Sequence, residues 1–209
     1  MRQAKTPRPD RQLSLEKAEA ILEGGMQEFL AHGYAATSMD RVALAAKVSK
    51  ATVYSHFQDK ESLFTVLIQR LVEKKFGSVF DVADAQILQA PPKVVLQEFA
   101  NRVLDIGMNE PQFLNFMRLI LGESERFPAL ARTFVRNVEQ TAFRNLCQYF
   151  ANSPHLKLDD PEATARVFIG AIIHFLIVQE ILHGKDIMPI ERGRIISVLI
   201  HLITGEEKL

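Results

Sequence analysis

From Val48 to Phe64 the sequence reads VSKATVYSHFQDKESLF, and Lys50, Thr52, Tyr54, Ser55, His56 and Lys60 lie within eleven of those residues. Two ammonium groups, an imidazole, a phenol and two hydroxyls make a set of hydrogen-bond donors. Ser49-Lys50 and Asp59-Lys60 each read as a helix N-cap followed by a lysine in the first helical position. The N-terminus of a helix carries about half a positive charge, so a lysine there is disfavoured. An anion at the same place reverses the sign, because phosphate binds free backbone N–H groups and a neighbouring ammonium adds a charge-assisted contact. Two such termini ten residues apart, with Tyr54 and His56 between them, could follow one nucleic-acid backbone. The plain alternative is that both lysines are simply solvated.

The elements that must position these groups are helices. Ile21, Leu22, Met26, Phe29 and Leu30 recur at helical spacing from Ser14 onward, and His32-Gly33 is a stop signal with Gly33 at C′. Gly24-Gly25 inside that helix conflicts with helix propensity unless another helix packs closely there. Thr37 or Ser38 caps a short helix to about Ala46, and after KVS a second runs from Lys50 to about His56. Two helices of about two turns joined by three or four residues form a helix-turn-helix. In that motif the start of the second helix meets base edges, here Lys50, Ala51, Thr52 and Ser55. Lys50 suits guanine O6/N7, and Thr52 or Ala51 a thymine methyl. Tyr54, His56, Lys60 and the hydroxyls of Thr37 or Ser38 are suited to phosphate, which fixes register, and the cap Ser49 completes the DNA-binding candidates. His56 could equally be a plain C-terminal helix cap.

ATSMDRVALAAKVSKATVYSHFQDKESLFTVLI resembles the DNA-binding domain of the TetR family of repressors, whose pattern runs Thr-Ser, a short helix, GVSKGTLYxHF and xKExL. Ser49, Lys50, Thr52, Tyr54, His56, Phe57, Lys60, Glu61 and Leu63 match it as they stand. The resemblance covers about residues 14–64 and implies DNA-contacting roles for Lys50, Thr52, Tyr54, His56 and Lys60. Lys47 and Ala51 stand where the pattern has glycine, so either Lys47 adopts positive φ or the turn differs slightly, and Ala51 adds a methyl at the DNA face. Residues from FMRLILGESERFPAL to LDDPEATARVFIGAI are similar to the regulatory domain of the AefR-like branch, which implies a helical effector-binding domain, dimeric through its last two helices.

With 209 residues and 47% apolar content the chain can bury a sizeable core. Cys147 is its single cysteine, and no signal segment opens the sequence, so a cytoplasmic setting is expected. The formal net charge is zero, but residues 1–76 carry 12 Lys+Arg against 9 Asp+Glu, and the remainder 13 against 16. The expected organisation is a flexible basic arm over 1–13, the helix-turn-helix domain over 14–60, and an effector-binding and dimerisation domain over 61–209, with 61–76 as connecting helix.

Helices are expected from Pro91-Pro92 to about Met108, from Pro111 to about Glu123, from Pro128 to about Phe150, from Pro161 to about His183 and from Ile190 to Ile203, with no competing β-alternation, so the fold class is all-α. The 16 residues from Val167 to Leu182 contain His174, Gln179 and Glu180, short of the ~20 apolar residues of a membrane span. Apolar residues all round a soluble helix call for burial on both faces. A homodimer through helices 161–183 and 190–204 provides that; a monomeric core with both helices central is the alternative. Phe99, Phe113, Phe116, Met117, Phe143 and Phe168 are candidates to line an apolar effector cavity, although each is also an ordinary core residue. Arg118, Glu123, Glu125 and Arg126 read as a charged cluster near a helix end.

No Gly-rich phosphate loop, HExxH or CxxC is present, and the histidines show no i, i+4 pairing, so no enzyme activity, cofactor or metal is implied. The expected function is a ligand-responsive regulator, a repressor released from a palindromic double-stranded operator by a small apolar or amphipathic effector. A helical adaptor or ligand-binding protein using the helix-turn-helix as scaffold is the alternative, and it predicts no salt-dependent DNA affinity.

Overall fold

The computed structural model describes residues 9–76, 87 and 89–205. Ten α-helices and no strand occur among the described residues. They divide into two compact units, one of residues up to Arg70 with Leu119–Thr133, the other of Leu71–Arg118 with the chain from Phe134 onward.

In the first unit, α1 spans Pro9–Ala36 and breaks helical geometry at Gly33, with φ 78° and ψ 169°. Of the expected arm, residues 1–8 lie outside the described residues, whereas 9–13 form the first turns of α1. Proline is at home in a helix's first turn. Ile21, Leu22, Met26 and Phe29 are buried on one face. α2 (Met39–Ala45) and α3 (Lys50–His56) follow, then α4 (Lys60–Phe76), which buries Leu63, Phe64, Leu67 and Ile68. Lys47 adopts φ 55°, so of the two expected outcomes the turn is kept and the residue takes the positive φ.

The two glycines mid-helix mark where α1 meets its neighbours. A Cβ on Gly24 would stand 2.7 Å from the backbone nitrogen of Ala46, and one on Gly25 3.0 Å from Leu63 Cδ2. Their lost helix propensity, about 1 kcal/mol each, is offset by the approach it permits.

In the second unit, α5 is Pro92–Asn109 and α6 Pro111–Glu123, the last turn of α6 counting with the first unit. α7 (Pro128–Phe134), which through Thr133 also counts with the first unit, runs through a π turn at Val135–Glu139 into α8 (Gln140–Asn152). α9 (Pro161–Leu176), capped by Asp160 accepting from the Ala163 N–H at 2.9 Å, runs through a π turn at Ile177–Ile181, and α10 is Arg192–Thr204. Neither π turn follows from the sequence pattern. The core joins Leu96, Phe99 and Leu104 of α5 to Phe168, Ile172 and Phe175 of α9 and Ile196, Leu199 and Ile200 of α10. Pro161–Ile181 is long and apolar enough to cross a membrane by length and composition alone. Its Phe168, Ile172, Phe175 and Leu176 are spent on this core. On its other face Val167 is 65% exposed, as Leu202 of α10 is 72% exposed.

Gly24→Ala is expected to lower stability by about 1–3 kcal/mol, because the new methyl meets backbone. Gly122→Ala, with nothing within 4 Å, should instead raise it by up to about 1 kcal/mol. Urea denaturation of the two variants checks the contrast.

Candidate nucleic-acid interface

The turn between α2 and α3 is closed by backbone. The Lys47 N–H donates to the Leu44 carbonyl and the Val48 N–H to that of Ala43, both at 3.1 Å, and Val53 is fully buried beneath α3. Each helix start carries its own cap. Ser38 Oγ accepts from the Arg41 N–H at 3.3 Å and Ser49 Oγ from the Thr52 N–H at 3.1 Å. Asp59 and Ser62 exchange bonds, the Ser62 N–H donating to Asp59 Oδ1 at 2.7 Å and the Asp59 N–H to Ser62 Oγ at 3.1 Å. That is a capping box with serine in the usual place of glutamate.

With Val53 inward, α3 turns Lys50, Ala51, Tyr54 and Ser55 outward, Thr52 and His56 lying half-buried at its sides. The Thr52 and Ser49 hydroxyls lie 2.8 Å apart, and the Ser55 hydroxyl donates to the Thr52 carbonyl at 2.8 Å. Tyr54 is 47% exposed. Lys50 is paired: its Nζ is 2.7 Å from Asp40 Oδ1 and 2.9 Å from Oδ2, and this bond raises the lysine pKa above its ordinary value. An acid in the first turn of α2 thus answers the misplaced cation at the start of α3. Both side chains are exposed, so the pair is cheap to open.

The other candidates separate. Ser38 is exposed, but Thr37 is buried and its hydroxyl donates to the carbonyls of Gly33, at 2.8 Å, and Glu28, at 3.1 Å. Lys60 also turns inward, its Nζ donating to the carbonyls of Tyr34, Thr37 and Ala35. Sequence reasoning missed Asp40 and Arg41. Arg41 Nε lies 3.2 Å from Glu28 Oε2 and its Nη2 3.2 Å from His32 Nε2. The signal available for Arg41 was its place in the first turn of α2, facing the end of α1.

Within the expected charged cluster, Arg126 Nη1 lies 3.9 Å from Glu123 Oε2, whereas Arg118 is engaged by backbone. Arg118 donates to the carbonyls of Glu180, at 2.6 Å, and Ile181, at 3.3 Å, which the π turn ending α9 leaves outside regular helix bonding. Glu123 belongs to the first unit, where its Oε1 would stand 3.2 Å from a Cβ on Gly33. Of the six effector candidates, Phe99, Phe116 and Phe168 are sealed in the interior, Phe113 is buried with them, and Met117 and Phe143 pack partly buried against the core. None of the six lines the described cavity of about 760 Å³ in the second unit, whose walls include Met108, Phe175, Gln179, Ile190, Arg192 and Arg194.

The arrangement defines a helix-turn-helix regulator. Residues 21–67 match the family model for bacterial regulatory proteins of the tetR family, and residues 94–202 that of the AefR-like transcriptional repressor C-terminal domain. The chain belongs to the TetR family, with a regulatory domain of the AefR-like kind. It is 25% identical to the uncharacterized HTH-type transcriptional regulator YhgD of Bacillus subtilis, over 92% of this chain and 98% of that protein. The solved structure of the flavonoid-responsive regulator FrrA superposes with a TM-score of 0.72 at 30% identity, covering 89% and 94% of the two chains. That of AibR, in complex with isovaleryl coenzyme A and operator DNA, does so at 0.59 and 22%, covering 90% and 98%. Transcriptional regulation through DNA is therefore this chain's function, and the family is one of soluble DNA-binding regulators.

Thr37→Val should destabilise the protein by about 1 kcal/mol or more by removing a buried donor from two carbonyls. Ser38→Ala, losing a cap, should cost about 0.5–2 kcal/mol. Thermal unfolding of both variants measures the difference.

Proposed function

We propose that the chain acts as a homodimeric repressor in which the exposed face of α3 reads a two-fold symmetric operator, and that an amphipathic effector bound by the second unit releases it. The observation that carries the DNA-reading part is the outward set Lys50, Ala51, Tyr54 and Ser55, on a helix whose N-terminus is capped by Ser49 and whose opposite face is anchored by Val53. Lys50 leaves Asp40 for a guanine edge, and Ala51 or Thr52 meets a thymine methyl. Tyr54, Ser49, His56 and Ser38 supply phosphate contacts that fix register. In a dimer the two α3 helices lie about 34–36 Å apart, one turn of DNA.

The exposed apolar side chains Val167, Val198 and Leu202 on α9 and α10 support a second copy packing there. For the effector, the open cavity's apolar Met108, Phe175 and Ile190, beside Glu180, Glu191 and Arg194, suit an amphipathic molecule. Release then needs only that the effector favour a spacing of the recognition helices that fits the operator poorly, by typically about 1–3 kcal/mol.

Selection from a random duplex pool at two salt concentrations should enrich a two-fold symmetric motif whose affinity falls steeply with salt. No enrichment and no salt slope would leave the helix-turn-helix as scaffold. Tyr54→Phe should weaken all sequences by about two- to tenfold, whereas Lys50→Ala should change the preferred base at its position. Val167→Glu combined with Leu202→Glu should sediment as a monomer; a dimer surviving both charges would move the interface elsewhere.

A further inference from the structure

Lys60, half-buried, occupies the first position of α4, and its ammonium is engaged by backbone carbonyls of the protein itself. The three N–H donors of an ammonium meet three carbonyl oxygens, of Tyr34 at 2.6 Å, Thr37 at 3.0 Å and Ala35 at 3.3 Å. Its Nζ also stands 4.4 Å over the Tyr34 ring. Burial pushes the lysine pKa down, with Glu123 opposing. These carbonyls belong to the turn that α1 makes after Gly33 and to the link into the Ser38 cap of α2. Convergent carbonyl oxygens thus take up a cation that the N-terminus of α4 disfavours. The cradle is itself held. The Tyr34 ring stacks on Phe29 at 5.6 Å and meets the edges of Phe64 and Phe127 at 5.3 and 4.9 Å, and the Thr37 hydroxyl is bonded inward.

We infer that Lys60 is a positioning residue for the recognition helix rather than a phosphate contact: it fixes the Tyr34–Thr37 link from which α2, and through the closed turn α3, are set against α1 and α4. This rests on the DNA-reading function proposed above. Lysine suits the site because a compact ammonium can send three donors to a convergent set of carbonyls, which a planar guanidinium cannot.

The variants Lys60→Met and Lys60→Arg, checked for folding by circular dichroism, separate the two roles. As a positioning residue, either change lowers operator affinity by about tenfold, the scale of one mismatched base pair. Affinity for non-specific duplex and the slope of log affinity against log salt stay as in the parent. The inference is overturned if Lys60→Arg binds the operator like the parent. It is also overturned if Lys60→Met loses specific and non-specific binding together with a slope shallower by about 0.9 per lost phosphate contact.

Reductive methylation of the unaltered protein, read by mass spectrometry, keeps the inference testable should both variants unfold. Lys60 should react far more slowly than exposed Lys47 without DNA, and operator should leave its rate unchanged while slowing Lys50. Fast reaction of Lys60 in the free protein, slowed only by operator, overturns it. If the parent binds no duplex at all, the DNA-reading proposal has failed, and slow Lys60 labelling still distinguishes that from an absent cradle.

Discussion

The first unit depends on how closely α1 lets its neighbours approach. At Gly24 and Gly25 the helix has no side chains, and the backbone at Ala46 and the side chain of Leu63 occupy the space where Cβ atoms would be. Ala46 ends α2 and Leu63 lies in the first turn of α4, so these two contacts fix both helices flanking α3. Protein interiors are close-packed and transmit such displacements, so one methyl at Gly24 would tilt the turn that carries the reading helix. Val53 can then be fully buried while Tyr54 and Ser55 remain outside.

Around that packing, charge is arranged at helix ends in a way that single-helix rules do not anticipate. Lys50 is disfavoured by α3 and paired by Asp40 of α2, and Lys60 is disfavoured by α4 and welcomed by the carbonyls ending α1. Each lysine offends its own helix and serves an earlier stretch of the chain, Lys50 the start of α2 and Lys60 the end of α1 with the link that follows it. The difference between them is exposure. Lys50 lies in water, where its ion pair opens at little cost, whereas Lys60 is partly desolvated and its donors are already committed.

The second unit divides its apolar surface among three uses. Phe99 and Phe168, with ring centroids 6.1 Å apart, close the core. Met108, Phe175 and Ile190 face an open cavity rimmed by charge. Val167 and Leu202 face outward. The π turn at Ile177–Ile181 leaves carbonyls that Arg118 of α6 takes up, so the end of α9 is tied to α6 by two charge-assisted bonds.

Helical periodicity, proline and glycine punctuation, and the caps at Ser49, Asp59 and Asp160 were enough to place nine helical stretches, the one from Pro128 to Phe150 being α7 and α8 joined by a π turn, and to raise the close approach at Gly24-Gly25 and the positive φ of Lys47. These are local signals, set by backbone geometry and by which face of a helix is apolar. The outward face of α3 was legible for the same reason. The partners of the two lysines were not, because Asp40 and the Tyr34–Thr37 carbonyls are brought to them by tertiary packing. The inward turn of Thr37 was hidden likewise, since a cap sequence Thr-Ser offers two hydroxyls and only the packed chain decides which remains outside. Nor could the sequence separate the aromatics that seal the core from residues that border a cavity: both are apolar at helical spacing, and only the way the helices pack puts Phe175 in a cavity wall and leaves Phe168 fully buried.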